Sequence, residues 1–127
     1  MTERPLHHIA LGTPRVEAIA DFYERCVGLE RFKVHFESNG AVRSIWLRSG
    51  LTVVMVERTS TETRLEPMSL NNGWSTVVFG GDFGVTVEKS ICDAGGTKDG
   101  HTEFTRYFRD PDGNRFGLSS FRFEESS

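Results

Sequence analysis

Nothing in this 127-residue chain approaches the run of about 20 apolar residues that a bilayer-spanning helix needs, and the N-terminus has no apolar h-region of the secretory kind. Basic residues are not clustered: 15 Lys and Arg are scattered among 18 Asp and Glu for a net charge of −3, so there is no electrostatic footprint for nucleic acid. Cysteine is scarce. Cys26 and Cys92 are the only two, with no CxxC spacing, and unpaired cytosolic thiols are expected rather than a disulfide. These absences together predict a soluble, cytoplasmic protein with neither membrane nor nucleic acid as partner. What is present is an apolar fraction of 37% with ten Phe, enough for one domain with a real core.

The apolar residues fall in patterns. "PLHHIALG", residues 5–12, alternates as a strand does, with His7, Ile9 and Leu11 on one face and Leu6, His8 and Ala10 on the other. Thr13 suits an N-cap and Pro14 a first helical position. Val16, Ile19, Ala20, Tyr23 and Val27 then recur at helical spacing until Gly28 supplies a stop. Strands are expected over Glu30 to Glu37, Ala41 to Arg48 and Leu51 to Glu57. A polar stretch comes next and reads as a linker, after which "WSTVVFGG" predicts another strand. Asp82 is a candidate N-cap for a second helix ending near Gly95 and Gly96. Gly84 and several β-branched residues give that helix poor intrinsic propensity, so packing must hold it.

In "TRYFRDPDGNRFGLSSF", residues 105–121, two strands flank a turn with explicit chemistry. Asp110 can bond back to the backbone, Pro111 pre-sets φ, and Gly113 tolerates the positive φ that closes a hairpin. The order is therefore β-α-β-β-β twice: module one over residues 5–57, a linker over 58–73 and module two over 74–122. His8 to Gly28 spans 20 residues and so does Thr76 to Gly96 (28 − 8 and 96 − 76), which keeps strand, helix and stop in phase. A period of this length suits a pair of modules better than a solenoid.

"HHIALGTPRVEAIADFYERCVGLE" together with "FRDPDGNRFGL" resembles the vicinal oxygen chelate superfamily, which includes glyoxalase, bleomycin-resistance and ring-cleaving dioxygenase proteins. The resemblance runs from Leu6 to Phe121. It implies an α+β fold, a single domain over residues 1–127, in which two tandem β-α-β-β-β modules curl as half-barrels of a curved mixed sheet around a cavity. It also implies a homodimer. For the enzymes of the family it implies a divalent metal held at four positions, on the first and last strand of each module. That ion chelates two neighbouring substrate oxygens and stabilises an oxyanionic intermediate. Such positions need His or carboxylate side chains, which offer lone pairs to the cation.

Carried onto this sequence, the ligand positions are largely vacated. His8 takes the first, on the face opposite Ile9 and Leu11. The second falls near Met55, with Glu57 two residues on as the nearest acid and the strand's register open. The third falls on Thr76, a neutral hydroxyl. The fourth is the middle residue of Phe116-Gly117-Leu118, where metal-binding relatives carry Glu and this chain carries only a hydrogen. No metal cofactor is therefore expected; if a divalent ion binds, its ligands are His8 and Glu57. His101 would join them only from a loop folded into the cavity.

Period-two alternation points His8, Ala10, Trp46, Met55, Thr76, Val78, Gly117, Ser119 and Phe121 inward, a mostly apolar lining of the kind that binds small molecules. Trp46 would stack on a planar or cationic ligand, or else fill the core as Phe121 would. Arg106 and Arg109 flank Tyr107 and Phe108 and either lie solvated or hold an anionic ligand. Gly80 and Gly81 read as a turn, and the ending from Glu124 to Ser127 as a frayed tail. Neither Ser119 nor Cys26 has a paired base, so no nucleophile is visible. The leading reading is a small-molecule-binding member without a full metal site. The alternatives are a divalent-metal lyase, isomerase or dioxygenase, a metal-free enzyme with His8 as general base, and a partner-binding module whose cavity is filled.

Overall fold

The structure, a computed structural model, describes residues 6–59 and 76–122. The expected linker over 58–73 lies outside the described residues except for Arg58 and Thr59, as does the expected tail. In chain order the elements are β1 (His8–Thr13), α1 (Val16–Cys26), β2 (Glu30–Phe36), β3 (Val42–Ser49), β4 (Thr52–Arg58), β5 (Val77–Gly80), α2 (Val85–Asp93), β6 (Thr97–His101), β7 (Thr105–Arg109) and β8 (Arg115–Ser119). The chain divides into two compact units, Met1–Thr63 and Arg64–Ser127. Each holds one four-stranded sheet, ordered β1-β4-β3-β2 in the first and β5-β8-β7-β6 in the second. Advancing every strand number of the first by four generates the second. Both run their first and last strands parallel and their remaining pairs antiparallel. The repeat expected from spacing is thus a repeat of topology, and the α+β fold of two tandem β-α-β-β-β modules is the one this chain forms.

Most element boundaries move by one residue, but the helix starts move further. Thr13 does not cap α1. It ends β1, buried and opposite Arg58, its Oγ1 accepts the Arg15 N–H, and the helix begins only at Val16 with no side-chain cap. Its carbonyl also accepts the Thr59 N–H, so sheet pairing holds Thr13 and Pro14 outside the helix against their local preference. Likewise Gly84, not Asp82, precedes α2, because the backbone stays extended through Gly84. The expected stops are present. Gly28 has φ of 85° after α1, and α2 ends in a Schellman motif: Gly95, at φ of 97°, donates its N–H to the Cys92 carbonyl and Gly96 donates to that of Ile91.

Each sheet has one face against its own helix. In the first unit, register aligns Ile9 with Val54 and Leu47, and Leu11 with Val56 and Ile45. Onto this face α1 brings Val16, Ile19, Ala20 and Tyr23, all buried, each larger aliphatic contributing about 1.5–3 kcal/mol. In the second, Phe108 and Phe116 are cross-strand partners with stacked rings 5.6 Å apart, and Phe79, Leu118 and Ile91 complete the cluster. Glu88 of α2 reaches Lys98 at 3.7 Å and Arg106 at 3.5 Å on that same face.

The hairpin before β8 closes as its residues dictate. The buried Asp110 carboxylate accepts the backbone N–H of Asp112 and of Asn114 and the Asn114 side-chain amide, while its carbonyl accepts the Gly113 N–H. Gly113 has the positive φ, 93°, that the turn requires. This closure fixes the pairing of Arg109 with Arg115, and with it every side-chain position on β8.

Candidate functional site

On the face of the first sheet turned away from α1, register sets side chains in three rows across the strands. His8, Val53, Arg48 and Glu30 form the first; Ala10, Met55, Trp46 and Lys33 the second; Gly12, Glu57, Ser44 and His35 the third. Of the expected lining, His8, Ala10, Trp46 and Met55 therefore share one face.

Four further residues join them: Arg48, two residues along β3 from Trp46, and Phe32, Lys33 and His35, which period-two counting on β2 does not find. The Phe32 ring meets Trp46 edge-on at 6.1 Å, and the His35 ring lies 4.7 Å from Trp46. The Arg48 guanidinium sits 4.2 Å over Phe32, and the Lys33 ammonium 5.5 Å from the Trp46 centroid. The interleaved aromatics and cations of "RFKVHF", residues 31–36, are the signal for Phe32, Lys33 and His35 in the sequence. The strand is hard to read because its register shifts twice, between Arg31 and Lys33 and between His35 and Phe36, which breaks period-two alternation. Two polar atoms here, Trp46 Nε1 and His35 Nε2, are buried with no hydrogen-bond partner among the described residues.

These residues do not fit a divalent ion. His8 is exposed, its Nδ1 2.9 Å from Nδ1 of His7. Glu57 lies four residues along β4 from Val53, the partner of His8, or about 13 Å at the rise of a strand. Ligands about 2–2.6 Å from one ion sit within about 5 Å of each other, and side chains standing perpendicular to a sheet do not converge over that span. Met55, the nearer residue, offers only a soft thioether. No group of three or more His, Cys, Asp or Glu suited to an ion occurs among the described residues.

The face of the second sheet away from α2 is internally filled. Val78, Gly117 and Tyr107 lie side by side on β5, β8 and β7. A Cβ on Gly117 would stand 3.1 and 3.2 Å from Tyr107 ring carbons and 3.2 Å from Thr105 Cγ2, so the tyrosine ring already occupies the space a longer residue would need. Over that ring, 3.9 Å from its centroid, lies the Arg115 guanidinium. Arg115 donates to Asp99 at 2.7 Å and to Thr76 Oγ1 at 3.1 Å, and Arg109 reaches the same Asp99 carboxylate at 3.3 Å. The Thr76 hydroxyl thus faces a fixed positive charge, which repels a second cation.

The remaining candidates are spread out. Ser119 Oγ accepts from Thr105 and from the Phe121 N–H, which ties it into the end of the hairpin. Phe121 is half-exposed and packs edge-on against Phe104 at 5.3 Å, and Val78 is exposed. His101 ends β6 opposite Arg106, on the helix side, so it does not share a face with Thr76 and Gly117. With Glu88, Lys98, Arg106 and Phe108 it lines a small pocket of about 60 Å³. Arg109 is not solvated; its side chain is 11% exposed and paired. Burial pushes the Cys26 thiol up, with Arg25 opposing, which keeps it protonated and a poor nucleophile.

A family model described as "Glyoxalase/Bleomycin resistance protein/Dioxygenase superfamily" matches residues 5–118. Among curated proteins no sequence matches. Solved structures with a similar fold include the following three. The fosfomycin resistance protein FosX from Mesorhizobium loti superposes with a TM-score of 0.73 at 15% identity, over 96% of this chain and 95% of that one. A FosX mutant from Listeria monocytogenes, complexed with Mn(II) and 1S,2S-dihydroxypropylphosphonic acid, gives 0.74 at 12% identity over 96% of both chains. A glyoxalase family protein from Enterococcus faecalis gives 0.66 at 19%, over 92% of this chain and 98% of that one.

Proposed function

Because this chain belongs to the glyoxalase/bleomycin resistance protein/dioxygenase superfamily, we propose that it binds an organic small molecule on the helix-free face of its first sheet without a full metal site. The observation that carries this reading is the Tyr107 ring lying against Gly117, with the Arg115 guanidinium over it and against Thr76. Two of the four positions that would hold an ion are thereby closed to one. What remains for recognition is the face carrying His8, Trp46 and Met55, rich in aromatic and apolar surface with a few polar atoms. In this reading His8, Trp46 and Met55 border the ligand, and the working unit is a homodimer.

Two observations favour a metalloenzyme as the second reading: a structural neighbour is complexed with Mn(II), and His8 is exposed on its strand. The test compares metal content per chain after incubation with Mn²⁺, Ni²⁺, Zn²⁺ and Fe²⁺, and pairs it with a thermal-shift screen of aromatic compounds with and without chelator. Ligand-induced stabilisation unaffected by chelator, with no ion retained stoichiometrically, is the expected result. A stoichiometric ion that His8→Ala abolishes would overturn it in favour of a metal-dependent lyase, isomerase or dioxygenase.

A further inference from the structure

The small-molecule reading leaves the ligand's charge open; the side chains of the first sheet select one, provided that reading holds. Lys33 and Arg48 are diagonal neighbours on β2 and β3, one row apart on the face away from α1, where long side chains reach a common point. Neither is ion-paired among the described residues. Each already caps an aromatic ring, Arg48 at 4.2 Å from Phe32 and Lys33 at 5.5 Å from Trp46. A cationic ligand drawn to those rings would meet two like charges instead, which inverts the preference that a bare tryptophan would have. Trp46 Nε1 is solely a donor and is buried without an acceptor, and His35 Nε2 beside it is likewise unpartnered. Buried unpaired polar groups are costly, and a shift of the Trp46 or His35 ring that brings either atom to a ligand oxygen would relieve that cost. The acids of this face are Glu30, opposite Arg48 in register, and Glu57, a row beyond Met55; neither makes a salt bridge with Lys33 or Arg48.

We infer that this face binds a planar organic anion, an aromatic carboxylate being the simplest example, with its ring against Phe32 and Trp46 and its negative group between Lys33 and Arg48.

Three probes of nearly equal size separate charge from shape: naphthoate, naphthalenemethanol and naphthylmethylammonium, each titrated calorimetrically at low salt. Naphthoate is expected to bind about tenfold more tightly than the alcohol, with the ammonium weakest. The combined Lys33→Gln, Arg48→Gln substitution, at two exposed side chains, should abolish the preference, and Glu30→Gln should strengthen it. Equal affinity for all three probes, lost in Trp46→Leu, would sink the anion inference while leaving the small-molecule reading intact. A naphthoate preference that survives the double substitution would overturn the assignment to Lys33 and Arg48. If no probe binds the wild type, the anion inference fails, and the chelator-independent screen decides the broader reading separately.

Discussion

Adding one methyl group at Gly117 measures how firmly the tyrosine ring holds the space beside it. The residue is buried in β8 and its φ is not positive, so alanine is compatible with the backbone. Its Cβ would nevertheless stand 3.1 Å from Tyr107 Cδ1 and 3.2 Å from both Tyr107 Cε1 and Thr105 Cγ2, against an optimum of about 3.5–4.0 Å between carbons. Those groups would have to retreat by a few tenths of an ångström, and little lets them. Arg115 lies on the tyrosine ring and is anchored to Asp99 and Thr76, and Thr105 is bonded to Ser119. Overpacking of this kind costs about 1–3 kcal/mol, partly offset by the about 0.5–1 kcal/mol that alanine gains over glycine in a strand. Gly117→Ala should therefore lose about 1–2 kcal/mol, which for a chain of this length lowers Tm by about 5 °C. In a Tyr107→Leu background the same change should become neutral or stabilising, a coupling that only neighbours show. Urea denaturation of the four proteins of this cycle, monitored by circular dichroism, reads it directly. Wild-type stability for Gly117→Ala alone, or an additive cycle, would refute the claim that the ring fills the position.

Other parts of the fold give three more expected outcomes. Asp110→Ala removes a buried acceptor of two backbone N–H groups and one amide, and should cost about 2–4 kcal/mol in the same denaturation assay, with Asp110→Asn costing less. Gly96→Ala would place a Cβ 2.6 Å from Ile91 Cγ2 and 3.0 Å from the Arg109 carbonyl, so a loss of at least about 2 kcal/mol is expected; a neutral result would show that the turn after α2 yields more readily than its geometry implies. Iodoacetamide at about pH 8 should alkylate the exposed Cys92 before Cys26, whose thiol burial holds in its protonated form, and peptide mapping showing Cys26 labelled first would contradict that.

How legible each element is in the sequence tracks how regular it is. β1, β3 and β4 pair without a slip, so period-two counting places His8, Ala10, Trp46 and Met55 on one face, as the register does. β2 slips twice, and the counting fails there, hiding Phe32, Lys33 and His35 beside Trp46. The helix starts differ for another reason. Thr13 and Pro14 have good local credentials for opening a helix, but a parallel partner strand holds the chain extended to Thr13. Local propensity loses to sheet pairing. The pairing of Tyr107 with Gly117 is arithmetic once Arg109 faces Arg115 across the DPDG turn, since 109 + 115 equals 107 + 117. Only the direction of the tyrosine ring, with its Cδ1 and Cε1 against the glycine, is beyond sequence.

That direction bears on the ion position that the family resemblance implies at Gly117, which one substitution would not restore. A glutamate at 117 would first have to displace the Tyr107 ring, and then share its surroundings with a guanidinium. Removing Arg115 to admit an ion would leave Asp99 with Arg109 alone and strip Thr76 of its donor. At an effective dielectric of about 20, two unit charges at about 4 Å interact by about 4 kcal/mol, and a divalent ion doubles that, so keeping Arg115 is no better. Each step back therefore breaks contacts that the present residues make with one another. The first sheet has the opposite character on the same topology. Among the described residues, its helix-free face leaves Trp46 Nε1 and His35 Nε2 buried without partners and two cations without carboxylates, whereas on the corresponding face of the second sheet only Arg109 Nε is left over. If the chain binds a small molecule as proposed, a repeat whose second copy has satisfied nearly all its own polar groups and whose first has not should place the binding in the first, so substitutions at Trp46, Lys33 and Arg48 should change ligand affinity more than any at Tyr107, Gly117 or Ser119.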